Sequence, residues 1–212
     1  MASKIIVAAA CLLSLANAEL QVVNGKIKIT TGTGAFCGDT VQFISQHLGP
    51  AYEQYGEFLE LEFIPWGRAT LNEDGSVTCT WGTNDCWANR LHRCAIDMLK
   101  GDQDAQMRYM YCEFTQRPAW LLGSYACAEQ VRLNLIAVDY CVNNPNLDTL
   151  DADAAAAIAP AMAADAINFV PAIVFNDQID AALHNEARQR LVSMICFALA
   201  EIPDTNVTGC SI

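Results

Sequence analysis

The sequence predicts an α/β fold carrying a disulfide-rich helical insertion, and three observations predict it. Two apolar, strand-like runs flank a glycine-bearing turn, a cysteine and a helical pattern; a third apolar run begins near Pro171; and most cysteines crowd between the second run and the third. Alternation with a period of two marks half-buried strands, and apolar spacing of three to four marks helices.

Ahead of these elements, Lys4, the apolar run Ile5 to Leu15 and the small residues Ala16-Asn17-Ala18 form a secretory signal with cleavage expected after Ala18. The run is shorter than the roughly 20 residues that span a bilayer. Residues 1–18 are therefore expected to be removed and residues 19–212 to form one lumenal or extracellular domain, with no membrane insertion and with the cysteine-rich insertion around 70–165.

Val22, Val23, Ile27 and Ile29 predict a first strand, and Thr31-Gly32-Thr33-Gly34 a flexible turn after it. Cys37 follows. Val41, Phe43, Ile44 and Leu48 have helical spacing from Thr40 to His47, with Gly49-Pro50 as the stop. Phe58 to Ile64 alternates apolar and acidic residues and predicts a second strand, parallel to the first and ending at Pro65. Helices are expected from about Trp87 to Lys100, Asp104 to Phe114 and Trp120 to Ala128, while Arg132 to Val138 suits either strand or helix. The alanine-rich segment Asp151 to Ala166 predicts two short helices broken at Pro160. Phe169 to Phe175 has the composition of a buried strand, and Glu186 to Leu199 that of an amphipathic terminal helix. Strand, helix, strand, helical insertion, proline-led strand and final helix make a thioredoxin-like layout.

Ten cysteines are present, and Cys11 lies in the signal, leaving nine. An odd count in an oxidising compartment leaves one thiol over, and Cys37 is the candidate, read as exposed and reactive. Cys79, Cys86, Cys94, Cys112, Cys127, Cys141, Cys196 and Cys210 are expected to form structural bridges, each contributing about 2–4 kcal/mol; their connectivity is open, with Cys196 to Cys210 the one local pairing expected. A zinc site from Cys79, Cys86, Cys94 and His92 lacks the paired spacing zinc favours, so no metal is assigned. The formal net charge of −12 argues against nucleic acid and anionic membranes as partners. Asn206-Val207-Thr208 is a glycosylation sequon. No protease signature surrounds Cys37; His47, His92 and His184 are read as solvated, the acidic residues as surface groups, and the four tryptophans as core or loop packing.

The most specific pattern is Cys79-Thr80-Trp81-Gly82-Thr83-Asn84-Asp85-Cys86-Trp87-Ala88-Asn89, closed by Cys94. It resembles the signature of the gamma-interferon-inducible lysosomal thiol reductase family, C-Q-H-G-x-x-E-C-x-x-N with a further cysteine. Cys79, Gly82, Cys86, Asn89 and Cys94 fall on its positions, Thr80 and Trp81 replace Gln and His, and Asp85 replaces Glu. Ile64-Pro65-Trp66-Gly67-Arg68-Ala69 is similar to the family's V-P-Y-G-N-A stretch, Val170-Pro171 to its proline-led strand, and Cys196 with Cys210 to its C-terminal cysteine pair.

The resemblance implies a thiol-disulfide oxidoreductase of the secretory pathway, secreted or lysosomal, acting on disulfide-containing proteins without a bound cofactor. It departs at the site of chemistry: Cys37 matches the first cysteine of the family's C-x-x-C, and Thr40 stands at the second. Cys37 is then the sole catalytic residue, Thr40 a hydroxyl that bonds its thiolate, and Val170 with Pro171 the substrate face. The start of a helix favours the thiolate, and Asp39 opposes it. Without a second cysteine, an external thiol such as glutathione or cysteine must resolve the mixed disulfide. The alternative is a non-catalytic binding protein on the same scaffold. Client and oligomeric state are not legible.

Overall fold

A computed structural model describes residues 19–211. The signal segment and its cleavage site lie outside the described residues. A three-stranded sheet has β1 (Ile27–Thr33) at its centre, β2 (Leu59–Pro65) parallel on one side and β5 (Ala172–Phe175) antiparallel on the other. Between β1 and β2 runs one continuous helical stretch: α1 (Gly38–Gln42), a π-helical segment Phe43–Leu48 and α2 (Gly49–Tyr55). After β2 come a small hairpin of β3 (Ala69–Leu71) and β4 (Val77–Cys79), then α3 (Thr83–Met98), α4 (Gln103–Thr115), α5 (Pro118–Leu122), α6 (Ala126–Gln130), α7 (Leu135–Asn143) and α8 (Leu150–Ile158). The chain closes with β5 and α9 (Ala181–Ala200). This is a thioredoxin-like fold interrupted by helices.

Period-two alternation sorts the sheet's side chains into two cores. Ile27, Ile29, Leu61, Ile173 and Phe175 join Phe43, Ile44 and Leu48 and the α9 residues Leu191 and Ile195 in the larger one. Ile64, Ala172 and Val174 face the other way, against Trp66 and against Ala154 and Ile158 of α8.

Several sequence expectations are corrected here. Val22 lies outside the ladder, and Val23 makes only an isolated bridge to Lys26. Thr31-Gly32-Thr33 is strand rather than turn, pairing with Phe63, Ile64 and Pro65. Gly32 serves close packing instead of flexibility: a Cβ there would lie 2.3 Å from the tip of Ile158 and 3.3 Å from Ala172 Cβ. Gly49-Pro50 does not stop the helix. Gly49 N–H bonds Ile44 O, five residues back, and this widened turn accommodates a proline that cannot donate its own hydrogen bond. Trp120 to Ala128 is two helices parted at Gly123, whose φ of +59° suits glycine. The ambiguous segment near 132–138 yields helix α7, capped by Asn134 accepting from Ile136 and Ala137 N–H. Asp151 to Ala166 gives one helix, α8, followed by turns that fold Ala161 into the smaller core. The β3–β4 hairpin was illegible because three-residue strands are too short to show alternation.

Four disulfides pair Cys79 with Cys86, Cys94 with Cys141, Cys112 with Cys127 and Cys196 with Cys210. Two of them tie α3 to α7 and α4 to α6, fastening helices whose own apolar contacts are divided among short segments.

Not all acidic and histidine side chains lie at the surface. Asp85, Glu113 and Asp151 are buried, as are His92 and His184. His184 Nδ1 accepts the N–H of Ile173 at 3.3 Å, which requires the neutral ring. Burial, with Arg188 adding to it, lowers the His184 pKa from 6.5 to about 4. The unfolded chain therefore takes up a proton near 6.5 while the folded chain resists until about 4. The stability that His184 contributes is complete above that window and is lost as pH falls through it. Buried Asp85, with its carboxyl pushed above the usual 3.8, acts in the opposite sense just above that value. Thermal midpoints measured from pH 7 down to 4 are expected to fall, and His184→Gln is expected to flatten the slope. An unchanged slope in the variant would remove His184 from this role.

Candidate functional site

Cys37 is the N-cap residue of α1, with extended backbone (φ −67°, ψ 118°), at the end of a tight loop leaving β1. Its N–H bonds Gly34 O at 3.0 Å. Among the described residues it is the one free cysteine. Its Sγ donates to Val170 O at 3.2 Å, and the Val170–Pro171 peptide bond is cis. Strand β1 and the segment leading into β5 are sheet neighbours, so the loop after one meets the loop before the other at the same sheet end.

Two expectations are corrected. Cys37 is not exposed: it shows only 8% of its surface, covered by the Val170 backbone. Thr40 neither bonds Cys37 nor faces a substrate. It is fully buried, and its hydroxyl accepts Gly34 N–H at 3.5 Å, so it closes the loop from below. Val170 and Pro171 are buried beside the thiol. Asp39 is exposed and paired with Arg188 at 3.2 Å, which offsets the negative charge it brings to the helix start; Arg188 in turn stacks over Phe169 at 3.8 Å.

Residues that the sequence reasoning did not place at the site surround the loop. Asn89 Oδ1 accepts Ala35 N–H at 3.0 Å, and Asp85 Oδ1 accepts Phe36 N–H at 3.1 Å. Arg117 donates to Phe36 O at 3.1 Å and lies over Trp120 at 4.6 Å. Phe36 stacks on Trp81 at 5.3 Å and meets Trp120 edge-on at 4.8 Å. Asp85 and Asn89 belong to the cysteine signature, and their spacing of four on a helix was the signal that they share a face. Gly34 permits the crowding: a Cβ on it would lie 3.1 Å from Gly67 Cα and 3.2 Å from Val170 Cγ1.

The eight bridging cysteines are removed from this chemistry by pairing, although the Cys79–Cys86 bridge flanks Asp85. Asn206 is exposed, in the segment between Cys196 and Cys210 that their bridge closes. Among the described residues no cluster of His, Cys, Asp and Glu is arranged to hold a metal, and no helix is long and apolar enough to cross a membrane.

A single thiol at the start of the helix after a central strand, facing the carbonyl before a cis proline, defines a thioredoxin-type thiol oxidoreductase scaffold. The family model of gamma interferon inducible lysosomal thiol reductase (GILT) matches residues 28–131, and the chain belongs to that family. It is 25% identical over 206 residues to GILT-like protein 1 of Drosophila melanogaster, covering 90% of this chain and 82% of the relative. It is 30% identical over 114 residues to the gamma-interferon-responsive lysosomal thiol protein of Arabidopsis thaliana, covering 52% of this chain and 48% of that one. Among solved structures it is similar to DsbA from Mycobacterium tuberculosis, at 13% identity with a TM-score of 0.48, over 86% of this chain and 95% of that one.

Proposed function

We propose that this chain is a monothiol thiol-disulfide oxidoreductase that reduces or isomerises protein disulfides through Cys37. The observation that carries the reading is the free Cys37 thiol at the helix start, held against Val170 O, with the other eight described cysteines paired. Deprotonated Cys37 Sγ attacks one sulfur of a client disulfide. A Sγ–S bond forms, the client S–S bond breaks, and the departing client sulfur leaves as a thiolate that takes up a proton. Because Thr40 cannot resolve this mixed disulfide, an external thiolate attacks it and releases Cys37; a second external thiol then completes reduction of the client. Two molecules of glutathione or cysteine are oxidised to their disulfide per client bond reduced. Attack by the client's own freed thiol at a different sulfur gives isomerisation instead. No bound cofactor or metal is invoked.

The cover over Cys37 favours one second reading, a lumenal or extracellular binding protein on the same scaffold. A trapping experiment separates the two. Incubating the chain with a disulfide-bonded client and no small thiol is expected to accumulate a Cys37-linked mixed disulfide, seen by mass spectrometry under non-reducing conditions and discharged by glutathione. Client bound without a covalent link would favour the binding protein. The reading places the protein in the secretory pathway, secreted or lysosomal, with Asn206 as its glycosylation site.

A further inference from the structure

We infer that Asp85 and Asn89, one turn apart on α3, are positioning residues that set the presentation of the Cys37 thiol by gripping the two peptide N–H groups just before it. This rests on the reading of Cys37 as the reactive thiol. Asn89 takes Ala35 N–H, Asp85 takes Phe36 N–H, and Asn89 Nδ2 locks the pair by donating to both the carboxylate and the backbone oxygen of Asp85 at 2.9 Å. Both side chains are only 1% exposed. From the opposite edge of the same loop, Arg117 holds Phe36 O.

Burying a carboxylate and an amide where a helix would ordinarily bury apolar groups is costly unless every polar atom finds a partner. Here the partners belong to the loop that carries the thiol. The signature's spacing follows from this: an acidic residue and an asparagine four apart face one way, and the cysteine after Asp85 is bridged to Cys79, with neither half of the bridge buried. The bridge fixes the start of α3 relative to the hairpin, so that Asp85 meets Phe36 N–H without searching for it. The helical insertion thereby acts on Cys37 through hydrogen bonds to its loop, without touching the sulfur.

The test compares Asp85→Ala, Asn89→Ala and Asp85→Asn with the wild type, each checked for the near-ultraviolet circular dichroism of the folded chain. Two quantities are read: the rate of Cys37 alkylation by iodoacetamide, and turnover of a disulfide substrate with glutathione. Losing a hydrogen bond to a buried group loosens the loop, so both alanine variants are expected to alkylate at least about tenfold faster while kcat falls by about tenfold. Asp85→Asn keeps an acceptor for Phe36 N–H and is expected to restore wild-type values in both. A folded Asp85→Ala or Asn89→Ala with wild-type alkylation would overturn the inference, as would Asp85→Asn as impaired as Asp85→Ala. Should an alanine variant not fold, Asn89→Ser, whose hydroxyl is too short to reach Ala35, carries the same expectation. Wild type without Cys37-dependent turnover would sink the oxidoreductase reading alone, because alkylation still decides whether the grip exists.

Discussion

Cys37→Ser is expected to reduce disulfide-reductase turnover to the uncatalysed background at both acidic and neutral pH, with folding intact. The side chain is small and, though buried, bonded only to Val170 O, and a serine hydroxyl donates to that carbonyl equally well. Only nucleophilicity changes, since an alcohol does not ionise where a thiol does. The companion variant, Thr40→Cys, places a second thiol one helical turn on, at the spacing where side chains on a helix adjoin. It is expected to raise turnover and weaken its dependence on glutathione, because the mixed disulfide can then resolve internally. Thr40 is fully buried, and cysteine, smaller by a methyl group, enters its place without overpacking. Purified proteins assayed across a glutathione series decide the matter: equal rates for wild type and Cys37→Ser would end the catalytic reading.

Asp151→Ala is expected to destabilise the chain by about 3–5 kcal/mol, as measured by chemical denaturation. Asp151 Oδ1 receives Arg90 Nη1 at 2.9 Å, Arg93 Nε at 2.9 Å and Arg93 Nη2 at 2.8 Å. Arg90 keeps Asp148 as a second anion. Among the described residues Arg93 pairs with no other carboxylate; it retains Pro65 O and the Trp66 ring 5.1 Å away. Removing Asp151 thus strands a guanidinium that is almost wholly out of water. By contrast, Glu186→Ala breaks a half-exposed pair with Arg190 and is expected to cost under about 1 kcal/mol. Similar losses in the two variants would show that the buried network carries no special weight. Because Arg93 anchors α3 to the end of β2, loss of Asp151 is also expected to lower turnover.

Strands β1 and β2, and helices α3, α4 and α9, were legible because each has an apolar pattern long enough to declare its period, and β5 because its apolar composition is that of a buried strand. The hairpin, the π turn and the break at Gly123 were not, since each depends on one or two residues whose conformation is imposed by neighbours. The Thr31-Gly32-Thr33 segment shows the difference clearly. Its composition is that of a turn, yet sheet pairing on both sides and the tip of Ile158 over Gly32 hold it extended. The histidines misled in the same way: polar neighbours in sequence did not reveal that His92 and His184 face the interior.

By itself the sequence determined the thioredoxin-like order of elements, the cysteine signature that marks the family, and the absence of a second cysteine three residues after Cys37. These are properties of residue identity and spacing, which no packing can alter. The Cys196–Cys210 bridge was expected from the sequence; only the tertiary structure decided the other three disulfide pairings, the burial of Cys37 beneath Val170, the inward turn of Thr40 and the grip of Asp85 and Asn89 on the loop ahead of the thiol. The physical reason is distance along the chain: Asn89 meets Ala35 across 54 residues and Val170 meets Cys37 across 133. Contacts of that span arise from how the sheet and the insertion pack together, so no local pattern announces them.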